Sequence, residues 1–173
     1  MKRFFFFTSI FISIFCYSQI DSTRYYYQNG NYNKAIIYGE KVKNDKSLPK
    51  QNLGILLNHL ALSYSKIGDI KKAEINYLEE LEIEKSLFGE NHAIIANTYR
   101  NLGNLKFSDK EFIKSENYFQ KAIDIKKNID GIEHPEYGKF LLDLAVLYKN
   151  NKKYKKAEEV YTYVCELIKK HHG

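Results

Sequence analysis

The chain contains no tryptophan, two prolines, two cysteines and nine glycines among its 173 residues. Two cysteines cannot build a disulfide scaffold, and nine glycines exclude a collagen-like helix. No apolar run reaches the ~20 residues that a membrane-spanning helix needs; the longest lies between Phe4 and Phe15. An excess of one charge is mild, with 27 Lys and Arg against 21 Asp and Glu and a net charge of +6. What is present is a 44% hydrophobic and 28% charged composition with 15 Tyr and 11 Phe. That apolar content suffices for a packed core and excludes a disordered chain. The Phe residues are unevenly placed: Phe4, Phe5, Phe6, Phe7, Phe11 and Phe15 all fall at the start.

That start has the three-part pattern of a secretory signal. Met1-Lys2-Arg3 is the short basic region, Phe4–Phe15 the apolar region, and Cys16-Tyr17-Ser18 places small residues three and one before Gln19. The expectation is cleavage after Ser18. A retained anchor is a second reading, and lipidation at Cys16 a third, weakened by bulky Phe15 where a small residue is usual. Removal of residues 1–18 takes away Lys2, Arg3 and Cys16, lowering the net charge from +6 to +4 and leaving Cys165 as the remaining thiol. One thiol makes no internal disulfide, so stability must come from packing. An abundance of Lys, Asn and Ile is associated with low-GC bacterial coding. With the signal, it makes the periplasm or cell envelope the expected address, with secreted or membrane-anchored forms as alternatives.

The remainder repeats with a period of 42. Gly89, Gly131 and Gly173 share that spacing, as do His92 and His134, and Leu60, Leu102 and Leu144. Ala73, Ser115 and Ala157, then Tyr77, Phe119 and Tyr161, follow in the same order. Apolar residues recur three and four apart, as in Leu57, Leu60, Ala61 and Tyr64, which is the stripe of an amphipathic helix. Alternation at period two is absent, so strands are not supported. The spacing predicts helix pairs at 50–67 with 70–88, 93–107 with 110–129, and 135–150 with 152–171. Pro49 and Pro135 suit a first helical turn, where the missing N–H has no partner to lose. Gly89 and Gly131 follow Lys-rich ends and suit a left-handed cap. Tyr26, Gly30, Tyr32 and Ala35 match Tyr64, Gly68, Ile70 and Ala73 at an offset of 38, indicating a shorter N-terminal pair. The organisation expected is therefore a signal at 1–18, a partial repeat at 19–49, and repeats at 50–92, 93–134 and 135–173.

The order Leu60-Ala61, Tyr64, Gly68, Ala73, Tyr77 resembles the tetratricopeptide repeat. The period, with Phe88-Gly89-Glu90-Asn91-His92 and Gly131-Ile132-Glu133-His134-Pro135, is similar to the kinesin-light-chain subtype. The resemblance covers about residues 20–173. It implies an all-α, right-handed α-solenoid of antiparallel helix hairpins, in which the first helix of each pair lines a concave surface. The sequence departs from the pattern at Lys106, where an aromatic is usual, at Lys110 and Lys152, where glycine is usual, and at Glu80, where alanine is usual. Lys106 is expected to weaken packing in the middle repeat.

On that concave surface, Asn97, Arg100, Asn101, Asn104 and Ser108 share one helical face, opposite Tyr99 and Leu102. Asparagine amides both donate and accept, so a row of them can hold a peptide backbone without demanding a side-chain sequence. Asn58 and His59 from the preceding repeat and Lys139 and Asp143 from the following one complete the candidate peptide- or partner-binding set. Only Asn101 and Lys139 match the carboxylate clamp of chaperone-binding relatives, and Asp143 would repel a carboxylate, so that mode is excluded.

Other chemistry lacks support. His92 and His134 recur because the repeat recurs and are read as caps at turns. His171-His172 has no Cys or acidic partner at zinc spacing, so no metal site is expected. Cys165 is read as a small core residue. No catalytic constellation or phosphate loop is present, and no cofactor is expected. Lysines are scattered over turns and helix ends rather than gathered in a stripe, which argues against nucleic acid. Val160, Val164, Leu167 and Ile168 form an apolar side on the last helix. That side is read as a docking or self-association surface, or as the sign of a longer array, because repeat arrays need polar terminal caps.

The expected function is an exported interaction module, not an enzyme, that binds a peptide or partner protein in its groove. The alternative is the sensory or scaffold part of a longer bacterial signalling or peptidase protein. Membrane association is expected only through the signal or an uncleaved anchor.

Overall fold

A computed structural model describes residues 18–172 of the chain. The signal, anchor and lipidation readings fall on residues outside that range, except for Ser18, which is helical. The described residues contain no strand. Helix α1 covers residues 18–28, followed by α2 (Tyr32–Glu40), α3 (Lys50–Lys66), α4 (Ile70–Phe88), α5 (Ala93–Ser108), α6 (Phe112–Asp130), α7 (Pro135–Asn150) and α8 (Tyr154–His172). The helices from α3 onward lie within two residues of the bounds expected from the spacing.

The helix hairpins turn in a common way. In α1–α2, the N–H of Gly30 bonds Tyr27 O and the N–H of Asn31 bonds Tyr26 O. The same pair of bonds recurs at Gly68 and Asp69, at Lys110 and Glu111, and at Lys152 and Lys153. This closes the last helical turn with a residue in the left-handed region. Glycine takes it at Gly30 and Gly68, but Lys110 (φ 60°) and Lys152 (φ 58°) take it with a side chain. Between hairpins, His92 and His134 accept hydrogen bonds at Nδ1 from the N–H groups of Ile94 and Glu136, at 3.3 and 3.2 Å. Both are N-caps, and Pro135 stands in the first turn behind one of them.

The described residues divide into two compact units that meet between Leu87 and Phe88 in sequence. In the first, Ala35, Leu56, Leu57, Leu60, Ala61, Ala73 and Tyr77 are buried. Helices α2 and α3 approach so closely that a Cβ on Gly39 would stand 2.7 Å from Leu60 Cδ2. In the second unit, α5 packs on α6, α6 on α7 and α7 on α8. Gly103 on α5 lies against Phe119 on α6, where a Cβ would meet the ring at 2.5 Å. Ser115 Oγ donates to Gly103 O at 2.8 Å in the same buried contact. Small residues (Gly39, Gly103 and Ser115) therefore stand where helices touch.

Lys106 is 3% exposed and its ammonium pairs with Glu111 at 3.1 Å, so the buried charge is matched. Two expectations are corrected. Cys165 is exposed rather than part of the core. The apolar side of α8 is not bare either. Val164 and Leu167 are buried, with Leu167 Cδ2 and Val164 Cγ1 beside Gly138 on α7, while Ile168 remains 45% exposed.

Candidate functional site

Helix α5 owes its polar face to the spacing of its core residues. Ile95, Ala96, Tyr99, Leu102, Gly103 and Lys106 turn inward and are buried. Asn97, Asn101 and Asn104, four and three residues apart, are left on the other side. Asn97 and Asn104 are exposed and Asn101 is half-buried. Their side-chain amides make no hydrogen bond among the described residues. Ser108 extends the row and donates to the Asn104 carbonyl at 3.0 Å. Three amides with both donor and acceptor capacity therefore face outward along about two helical turns.

Arg100 stands beside this row and does not act alone. Its guanidinium makes a two-point contact with Asp143 on α7, through Nε to Oδ2 and through Nη2 to Oδ1, the latter at 3.2 Å. The hydrogen bonds that Arg100 donates to Asp143 raise the Arg100 pKa, against partial burial. The guanidinium also lies 5.3 Å from the centre of the buried Phe140 ring. Fork-to-fork pairing fixes geometry as well as neutralising charge. Arg100 and Asp143 thus join the first helices of two successive hairpins, and Asp143 acts there as the arginine's partner. Lys139, exposed one turn earlier on α7, pairs with Glu136.

The first unit holds the other two candidates differently. Asn58 on α3 donates from Nδ2 to Glu80 Oε1 on α4 at 2.9 Å, so its amide serves the interior of its own hairpin. His59 is half-buried, with Nδ1 at 2.8 Å from Ile55 O and its ring edge-on to Tyr27 at 5.8 Å. Burial lowers its pKa, with the Ile55 carbonyl pulling the other way and Arg24 adding to the fall. Glu80 is 3% exposed. Burial pushes its carboxyl well above the ordinary range, nearby Glu84 pushes it further, and Asn58 opposes both. Half-buried Asn58 and buried Glu80 thus form a polar link between α3 and α4 that sequence spacing does not reveal, because the two helices meet only across a turn.

Among the described residues, no group of three or more His, Cys, Asp or Glu is placed to hold a metal ion. No described helix is long and apolar enough to cross a membrane. The arrangement offers hydrogen bonding and a neutralised ion pair, which suits recognition.

The family model described as tetratricopeptide repeat matches residues 52–128 and 95–170. No curated protein matches the chain. Among solved structures, BtubC (BKLC) from P. vanneervenii is 25% identical with a TM-score of 0.78, over 87% of this chain and 62% of that one. A putative kinesin light chain from Podosopora anserina with nearly identical TPR-like repeats is 19% identical, with a TM-score of 0.80 over 91% of this chain and 76% of that one. The apo form of RapI is 17% identical, with a TM-score of 0.74 over 91% and 57%. The chain thus spans less than two thirds of the length of the first and third of these relatives. These likenesses match the hairpin fold described above, an all-α solenoid of antiparallel helix hairpins.

Proposed function

Because the chain belongs to the tetratricopeptide repeat family, with repeats like those of kinesin light chains, we propose that it is an exported module that holds an extended peptide segment of a partner protein. The observation that carries this reading is the row Asn97, Asn101 and Asn104, whose amides have no partner among the described residues. An extended strand presents N–H and C=O groups alternately, and asparagine amides can satisfy both kinds. Lys139 lies on α7 next to this row in the repeat register, and Asn58 and His59 hold the corresponding register on α3. Their side chains support their own helices more than an open surface.

The Arg100–Asp143 pair bears on selectivity. With its charge answered by Asp143, Arg100 does not offer an isolated cation to a terminal carboxylate. The segment bound is therefore internal, recognised through its backbone. Export follows from the Met1–Ser18 pattern, and folds of this kind are generally non-catalytic scaffolds.

The test is peptide selection from a random display library against the full chain. Binders should lose at least about tenfold in affinity to a variant with Asn97, Asn101 and Asn104 all changed to Ala. That corresponds to about 1.4 kcal/mol, or one to two net hydrogen bonds. Amidating the peptide's C-terminus should leave binding unchanged. Equal affinity for wild type and the triple variant would remove the reading.

A further inference from the structure

The hairpin of α7 and α8 turns through a strongly basic stretch. Residues 149–156 hold Lys149, Lys152, Lys153, Lys155 and Lys156, and no Asp or Glu occurs between Asp143 and Glu158. Lys149, Lys152, Lys155 and Lys156 are exposed. Lys153 pairs with Glu116 of α6 at 2.9 Å, and Lys156 Nζ lies 5.3 Å from the centre of the Tyr148 ring. Lys149, Lys152 and Lys155 make no ion pair among the described residues, and the first turn of α8 contains no acidic residue to answer them. The C-terminal half-charge of α7 and the N-terminal half-charge of α8 meet here and oppose each other, so the lysines set the sign of the local potential. Tyr154 stands among them, 65% exposed.

We propose that this tip, formed by Lys149, Lys152, Tyr154, Lys155 and Lys156, docks a short acidic segment of a partner protein. Carboxylates on such a segment meet ammoniums that carry three donors each and that few groups of this chain engage. Tyr154 adds a ring face for the segment's methylene groups and a hydroxyl donor. The site does not rest on the peptide reading of the asparagine row on α5.

Extent selects a peptide over larger polyanions. Packed helices stand about 8–10 Å apart, a span that three or four extended residues cover at about 3.3 Å each. Beyond the tip the sign reverses. Glu158 and Glu159 are exposed immediately after it on α8, and Asp109 is exposed at the preceding hairpin turn, where it is the repeat equivalent of Asn151. A nucleic acid or a bilayer reaches past the tip and sets its phosphates against those carboxylates. Nor does any Ile, Leu or Phe lie between Lys149 and Lys156 to enter a lipid layer.

The test is a titration of the full chain, followed by fluorescence anisotropy, into a fluorescein-labelled, C-terminally amidated peptide with four consecutive glutamates. Binding is expected at low salt, weakening as salt rises. Changing Lys149, Lys152 and Lys155 together to Gln should weaken it at least about tenfold. Lys34→Gln, Lys41→Gln and Lys127→Gln, at exposed sites elsewhere, lower the net charge equally and should leave binding unchanged. So should the combined change of Asn97, Asn101 and Asn104 to Ala, which separates this site from the α5 row. Absence of binding at low salt would overturn the proposal. Equal losses in the two lysine variants would do the same, because net charge alone would then account for the binding. Tighter binding of a short oligothymidylate or of phosphatidylglycerol vesicles through the same three lysines would also overturn it, assigning the tip to nucleic acid or to lipid. Circular dichroism melting of each variant confirms that the helices are intact.

Discussion

Lys110 and Lys152 occupy a backbone region that costs a residue with a Cβ roughly 1–2 kcal/mol. Gly30 and Gly68 fill the equivalent turns, so the geometry is imposed by the hairpin rather than by the lysines. Lys110→Gly and Lys152→Gly should each stabilise the protein by about 1 kcal/mol, seen as a rise of about 2–4 °C in melting temperature. The opposite holds at Gly103, where an added Cβ meets Phe119 at 2.5 Å. Gly103→Ala should destabilise by about 1–3 kcal/mol in urea titration, since the ring must shift within a packed interface. The unusual lysines were visible against the repeat pattern, and so was the capping role of His92 and His134. The partner of Lys106 was not legible, because Glu111 lies five residues on. The two meet only once the chain has reversed at Lys110.

Element α4 carries the clearest link between packing and pH. Glu80 is buried with its carboxyl pKa raised by burial and by Glu84, so the folded state holds a proton that the unfolded state gives up. The unfolded chain releases it near the ordinary value of about 4.3. Between that value and the raised one the folded state binds more protons, so this group's contribution to stability falls as pH rises. Glu80→Gln keeps the acceptor for Asn58 and removes the titration. The stability difference between variant and wild type should be small near pH 4 and grow in the variant's favour towards pH 8. A difference independent of pH would contradict the assignment.

Helix bounds were legible because a 42-residue period places small and apolar residues in register along whole elements. Side-chain commitments between elements were not. Arg100 and Asp143 are one period plus one residue apart, so they are diagonal neighbours on successive first helices. Reading each against its own repeat position missed the pair. Cys165 was misplaced because it follows inward Val164 by one residue, a turn of about 100° that carries it out of the core. For the same reason Asn58 and Asn101, which share a helical face by spacing, differ in availability. Glu80 lies within reach of Asn58, whereas Asn101 has no such partner among the described residues.

At the scale of the molecule, the repeated hairpins form a scaffold whose recurrent apolar positions are buried in helix contacts, while residues such as Ile37, Ile75 and Ile113 stay exposed. Part of the Tyr content follows from that, since Tyr64, Tyr77 and Tyr148 are buried at recurrent positions, as is Phe119. What distinguishes the second unit is the outward asparagine row beside a closed ion pair. The most direct test of the account is the side-chain amide NMR spectrum of the full chain, recorded with and without a selected peptide. The Asn97, Asn101 and Asn104 amide signals should shift together on titration, while that of Asn58, bonded to Glu80, should stay in place. Shifts absent from all three, with the peptide demonstrably bound, would contradict it.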